Sequence, residues 1–299
     1  WQTRVTLPKN ILGKLAVDNQ TIYVASDEIN IYALNANNGK QRWVYPTHYD
    51  YANRGYAPGP IVAVKDAIYI NVGDMFYTLS PVNGHLLWQQ SDPTGGFLVT
   101  PLALNNVVYI TTWSEAMPVI AKIDAYNTGG KLLWSSIIKP STGSSNFTTL
   151  TMGRGLLYAS SWKTVYAFNS ANGKVVWHHS VGPISNQKSV YAHDTLYLTL
   201  QGPYQGTPSQ SSNKPNISSI IALDGSNGSL IWEKKNMNSP TVQTAVNGIL
   251  YVELQDDKGN GHIYALCMTN HATLWSYTHP IANPTKPQGT GNSLTVIPW

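Results

Sequence analysis

The side chains of this chain with the most to offer chemically are aromatic rings, an arginine and scattered carboxylates, and their spacing suits recognition better than bond-making. The segment from Thr47 to Tyr56 carries Tyr49, Tyr51, Arg54 and Tyr56, with His48 and Asp50 among them. Trp113 and Glu115 share a second irregular segment, and Trp162 and Tyr204 each stand in a further one. Aromatic rings and guanidinium groups dominate the energetic centres of binding surfaces. Tyr49, Tyr51, Arg54, Tyr56, Trp113, Glu115, Trp162 and Tyr204 are therefore the candidate ligand- or partner-binding residues.

No catalytic residue and no metal ligand is assigned. Glycan hydrolysis needs two carboxylates roughly 5–10 Å apart, and Glu115 with Asp74 or Asp50 is the pairing to test. His178 and His179 are neighbours on a strand, so their rings point to opposite faces. His48-x-Asp50 reads as a solvated loop, and Asp256 to Gly261 as a hairpin turn without the alternating ligands and distal glutamate of a calcium loop. No Gly-x-Ser-x-Gly elbow, Gly-x-Gly-x-x-Gly turn or Walker-type loop occurs. The single cysteine, Cys267, rules out an internal disulfide or a cysteine-ligated zinc cluster, and is expected to be a buried, inert thiol.

Composition narrows the classes further. Charged residues are only 11% of the chain, the net charge is +4, and the lysines are scattered, so nucleic acid is not an expected partner. Abundant tryptophan and tyrosine with uncharged polar loops suit a secreted or periplasmic all-β protein. No apolar run of about 18 residues is present, and the first residues do not form a signal peptide. Any membrane anchor is expected outside these residues.

What must hold the recognition residues is a repeat. Tyr32 to Trp43 reads YALNANNGKQRW and returns at Tyr77–Trp88, Ala121–Trp134, Tyr166–Trp177, Ile221–Trp232 and Tyr264–Trp275. Four residues before each tryptophan stands Gly39, Gly84, Gly130, Gly173 or Gly228; His271 is the exception. A strand ends in an Asx or Ser residue, the chain turns through a position needing positive φ, and a second strand returns. An apolar run ending at Tyr23, Tyr69, Tyr109, Tyr158, Tyr197 or Tyr251 precedes each copy, giving four short strands per unit. The tryptophans are 45, 46, 43, 55 and 43 residues apart, a period that marks the blades of a β-propeller. Trp43, Trp88, Trp134, Trp177, Trp232 and Trp275 are accordingly structural docking residues between blades.

The pattern Ala-x-Asp/Asn-x-x-x-Gly-Lys-x-x-Trp resembles the tryptophan-docking repeat of quinoprotein-type (PQQ-like) propellers, over nearly the whole chain. The resemblance implies a propeller fold. It also spans proteins that bind no quinone, among them the bacterial outer-membrane assembly lipoprotein and extracellular domains of bacterial membrane kinases. Its enzymes use an adjacent cysteine pair and a carboxylate-held calcium, and this chain has a single cysteine and few acids. No cofactor is expected.

The expected fold is thus an all-β, seven-bladed propeller forming a single domain over 1–299, with blades near 11–46, 58–91, 97–138, 146–181, 187–236 and 240–279. The seventh combines 1–7 with 285–299, because Gly291–Val296 matches Asn247–Val252. Alternation of strands puts the docking turns and the turns before each tyrosine on one face. The long segments that carry the candidate residues fall on the other, where binding loops belong. The expected function is a non-catalytic, extracytoplasmic sensor or scaffold domain of a bacterial protein, taking a protein or a small polar or glycan ligand. The alternatives are a carbohydrate-binding or glycan-acting propeller and a quinone-dependent dehydrogenase.

Overall fold

The computed structural model describes residues 11–26, 29–49, 58–91, 100–113, 121–138, 147–161, 163–184, 188–201, 217–238, 240–255 and 260–279. Their strands form six four-stranded antiparallel sheets, each joined in chain order. The first holds β1 (Ile11–Asp18), β2 (Thr21–Ser26), β3 (Asn30–Asn35) and β4 (Gln41–Pro46). The second holds β5 (Val62–Val64), β6 (Ala67–Val72), β7 (Met75–Leu79) and β8 (Leu86–Ser91). The third holds β9 (Leu102–Leu104), β10 (Val107–Trp113), β11 (Ala121–Asn127) and β12 (Leu132–Ile138). The fourth holds β13 (Phe147–Gly153), β14 (Leu156–Ser161), β15 (Thr164–Asn169) and β16 (Val175–Ser180). The fifth holds β17 (Val190–Ala192), β18 (Thr195–Leu200), β19 (Ile217–Asp224) and β20 (Leu230–Asn238). The sixth holds β21 (Thr241–Val246), β22 (Ile249–Gln255), β23 (Gly261–Cys267) and β24 (Thr273–His279). Two compact units divide the chain at Leu150/Thr151. The first three sheets lie in one; the fourth begins at the division and belongs with the fifth and sixth to the other. The segments expected to form a seventh blade lie outside the described residues.

Two kinds of turn generate these sheets. The first and second strands of most sheets meet in two-residue turns with both residues at positive φ, such as Asn105 (52°) and Asn106 (62°), or His193 (46°) and Asp194 (62°). That is the type I′ geometry whose twist matches paired strands. The third and fourth strands meet in the repeat's docking turn, where an Asx side chain caps the backbone two residues on. Asn35 Oδ1 accepts from Asn37 N at 2.8 Å, and Asn169 Oδ1 from Ala171 N at 2.9 Å. Beyond the turn the register slips by one residue at the same place in all six sheets, as between Ala33 and Leu34 or Ala222 and Leu223. This bulge decides which face each tryptophan takes.

The register also explains the alanine of the motif. Ala33 lies opposite Tyr23 on one side and Trp43 on the other, and Ala125, Ala167, Ala222 and Ala265 stand likewise between their tyrosine and tryptophan. A methyl is small enough for the two rings to meet across it, with centroids 5.9 Å apart for Tyr23–Trp43 and Tyr158–Trp177. The second sheet departs: Thr78 replaces the alanine, and Phe76 bridges Tyr69 (6.0 Å) to Trp88 (5.5 Å).

Neighbouring sheets are joined by the tryptophans. Trp43 Nε1 donates to Pro81 O at 3.1 Å, Trp88 Nε1 to Thr128 O at 2.9 Å, and Trp177 Nε1 to Gly225 O at 3.0 Å. In each case the acceptor belongs to the next sheet's docking turn. The tryptophans are not equivalent in burial, however. Trp43, Trp134 and Trp177 are buried, Trp88 and Trp232 are half-buried, and Trp275 on the last described strand is 47% exposed.

Candidate functional site

The candidate binding residues divide by what can be seen of them. Tyr49 is held firmly: its ring packs against the core of the first two sheets, and its hydroxyl is buried beneath Gly73. The start of its segment is anchored by Thr47, whose Oγ1 donates to Ile29 O at 2.7 Å and whose carbonyl accepts from Tyr77 Oη at 3.3 Å. Tyr49 is therefore placed chiefly by packing. Trp113 is the last residue of β10, opposite Ala121. Tyr51, Arg54, Tyr56, Glu115, Trp162 and Tyr204 lie outside the described residues, as does Asp50. Among the described residues, no three His, Cys, Asp or Glu side chains converge as a metal site would require.

Two features that sequence reasoning missed lie among the short turns. The first is an open cleft of about 190 Å³ between the β5–β6 and β9–β10 turns. Tyr69 forms its floor, Lys65, Asp66, Asn105 and Asn106 its exposed rim, and Val64, Ala103, Leu104 and Thr128 its walls. Burial, with a smaller contribution from the Asp66 carboxylate, pushes the Tyr69 phenol up to about 12.

The second is a cluster around Tyr191. Its ring stacks on Tyr158 with centroids 5.3 Å apart and planes 17° from parallel. Its hydroxyl donates to Asp194 Oδ1 at 3.1 Å, the oxygen that also pairs with Arg154 Nε at 2.5 Å. Beneath, Tyr158 Oη donates to Gly225 O at 2.9 Å, sharing that carbonyl with Trp177 Nε1. Burial first, then the adjacent Tyr191 hydroxyl, holds the Tyr158 phenol well above its ordinary value. The signal for this cluster is visible in retrospect. Tyr191 stands where the second, third and sixth sheets have Ala63, Ala103 and Ala245, each paired to the residue before the repeat tyrosine.

Cys267 corrects an expectation. It is not buried but half-exposed, occupying the capping position of the sixth docking turn with Sγ 3.1 Å from Thr269 Oγ1. That hydroxyl, followed by the Asn270 and Thr269 backbone N–H groups, holds the thiol below its usual range. Sulfur here does the work of an Asx oxygen, so the position faces solvent as its counterparts do.

With six repeats of this geometry in place, relatives can be judged. The family of the outer membrane protein assembly factor BamB matches residues 1–212 and 51–277. The chain belongs to that family. Its PQQ-like repeat and all-β propeller fold follow. The tetrathionate hydrolase of Acidithiobacillus ferrooxidans is 28% identical over 284 aligned residues, covering 81% of this chain and 53% of its own length. The chain thus spans about half the length of that curated relative. Among solved structures, BamB from Moraxella catarrhalis superposes with a TM-score of 0.64 at 17% identity, over 90% of this chain and 77% of its own. A quinohemoprotein alcohol dehydrogenase from Pseudomonas putida HK5 gives 0.64 at 12% identity, over 93% and 61%. At such identities the structures establish the fold alone.

Proposed function

We propose that this chain is a protein-recognition propeller of an extracytoplasmic bacterial protein, a scaffold or sensor domain that performs no chemistry itself. The observation that carries this reading is membership of the BamB family, whose named member is an assembly factor. The local chemistry supports it. Within the described turns, side-chain oxygens of Asn35, Asn38, Asn83, Asn127, Asn169 and Asn172 are spent on capping backbone N–H groups. A scaffold stiffened by such turns leaves its longer segments free to differ, and the segments read from the sequence as loops carry Tyr51, Arg54, Tyr56, Glu115, Trp162 and Tyr204, with Trp113 at the end of β10. Aromatic and arginine anchors of this kind suit a protein surface.

A second reading is favoured by the identity with the tetrathionate hydrolase. On it, the chain acts on a polythionate, and the loop-borne Arg54 would face the substrate's sulfonate groups. One experiment separates the two. Photo-crosslinkers are placed at Tyr51 and Trp162, and at Asn172 in a docking turn of the second unit as the control, in cells of the source organism. The purified full chain is separately incubated with tetrathionate. Recognition predicts one repeated crosslinked protein from Tyr51 and Trp162, none from Asn172, and no loss of tetrathionate. Tetrathionate consumption that disappears in Arg54→Ala would overturn it in favour of the hydrolase.

A further inference from the structure

The cleft of the first unit and the Tyr191 cluster of the second are the same place in the repeat. Strand register fixes the correspondence. Val62 pairs with Tyr69 and Ala63 with Ile68, as Val190 pairs with Tyr197 and Tyr191 with Leu196; Ala103 pairs with Val108 in the same way. Ala103 is therefore the third sheet's counterpart of Tyr191. The surroundings correspond too. Tyr69 answers to Tyr158 as the floor, and Thr128 to Gly225 as the turn residue whose carbonyl accepts the docking tryptophan. Lys65 answers to Arg154 and Asn106 to Asp194 at the tips of the two-residue turns. All of these line the cleft. Where a tyrosine of the chain covers Tyr158 in one unit, the smaller Val64 and Ala103 cover Tyr69 in the other, and the cleft lies above them.

From this we infer that the cleft between the β5–β6 and β9–β10 turns receives the tyrosine side chain of a polypeptide partner, seated one layer outside the place that the Tyr191 ring takes. The inference rests on the recognition reading and adds a site on the face opposite its loops. The volume is sufficient, since a cavity of about 150 Å³ accepts a benzene ring, and this one is about 190 Å³. The rim supplies polar partners for a phenol hydroxyl where Asp194 serves Tyr191: Asn106 at the equivalent position, and Asp66 and Lys65 across from it. Two walls differ. A Cβ at Gly153 would stand 2.0 Å from Tyr191 Cε1 and one at Gly225 2.7 Å from Cε2, so the internal ring needs a glycine on either side. Val64 and Thr128 occupy those positions in the cleft. A visiting ring therefore rests on the valine methyls, one layer closer to solvent, and enters from outside rather than from β9.

The test uses the full chain with labelled Ala, Val and Leu methyl groups. It is titrated with the peptide Ac-Gly-Tyr-Gly-NH2, its leucine analogue, and p-cresol. One ring in an open site binds at about millimolar Kd, so saturable shifts of Ala103, Val64 and Leu104 are expected with the tyrosine peptide, and at least about fivefold weaker ones with leucine. Val64→Gly and Thr128→Gly with Ala103→Tyr transplant the internal plug and should abolish the shifts. Tyr191→Ala opens the second unit's equivalent and should add a new set of shifts around Ala192, readable even where the transplant does not fold. No saturation, equal response to leucine, or no second site in Tyr191→Ala overturns the inference. p-Cresol, the tyrosine side chain alone, should bind about as tightly as the peptide, and saturable binding of p-cresol with none of the peptide overturns the polypeptide partner in favour of a small aromatic ligand. Loop crosslinks and peptide shifts fail independently, so loss of either identifies which proposal has fallen.

Discussion

Gly228 lies directly beneath the indole of Trp177, so that a Cβ on it would stand 2.5 Å from Cε3 of the ring. The same holds for Gly84 beneath Trp43 and Gly130 beneath Trp88. The glycine of the repeat thus has two reasons to be glycine. It adopts positive φ, 75° at Gly228, and it leaves room for the preceding sheet's tryptophan. A substitution there meets both penalties at once. Gly228→Ala is expected to destabilise the second unit by at least about 2 kcal/mol, more than the roughly 1 kcal/mol that backbone strain alone would cost. Trp177→Phe, which loses the bond to Gly225 O, should cost about 1–2 kcal/mol. Urea denaturation of both variants checks the order.

His271 takes that glycine's place between the fifth and sixth sheets. Its ring lies 4.2 Å from Trp232 at φ 60°, and Trp232 Nε1 is buried without a hydrogen-bond partner, unlike Trp43, Trp88 and Trp177. Burial, and then Lys234, lower the His271 pKa. The folded state thus disfavours the imidazolium. The associated stability is present above the unfolded histidine value near 6.5 and is lost as pH falls through the lower folded one. His271→Gly should remove that slope below about pH 6.5 and relieve the left-handed strain, gaining up to about 1 kcal/mol. An unchanged slope in denaturation midpoints would show that His271 is not its source.

Thr78 is the other irregular member of a regular position. It is fully buried, and its Oγ1 has no hydrogen-bond partner, where the other sheets have alanine. Thr78→Ala removes an unsatisfied hydroxyl and restores the small bridge between Tyr69 and Trp88. A gain of about 1 kcal/mol is expected. Ala167→Thr introduces the defect and should lose at least as much. If Thr78→Ala proves destabilising, the Phe76 bridge depends on the threonine methyl.

How far these features could be read from the sequence depends on whether they repeat. The four-stranded units, the docking turns and the tryptophan contacts all come from a pattern present six times, and period-two strands with fixed turn chemistry leave little freedom. The reason for the motif's alanine was hidden because it lies in register across three strands rather than along one. The cleft and its plug were hidden for a different reason. They arise from single departures, Tyr191 and Gly153, in turns that look stereotyped, and only the structure shows that two departures in different strands meet. Cys267 misled because cysteine is usually buried, whereas its position in the repeat is exposed.

Charge economy in the docking turns yields a last expectation. The capping oxygen belongs to Asn35, Ser80, Asn127 and Asn169 in the first four turns, which do not titrate in acid, and to Asp224 in the fifth. The Ser226 hydroxyl, then its backbone N–H, holds the Asp224 pKa below its ordinary value. Its contribution is therefore complete above the unfolded aspartate value near 3.9 and is lost as pH falls through the folded one. Asp224→Asn keeps a capping oxygen without a titrating proton. Denaturation midpoints from pH 6 to 2 should show the variant slightly less stable than the parent at pH 6, and level with it or above it at pH 2. Parallel curves would mean that the acid limb belongs to other carboxylates and that the fifth turn tolerates protonation.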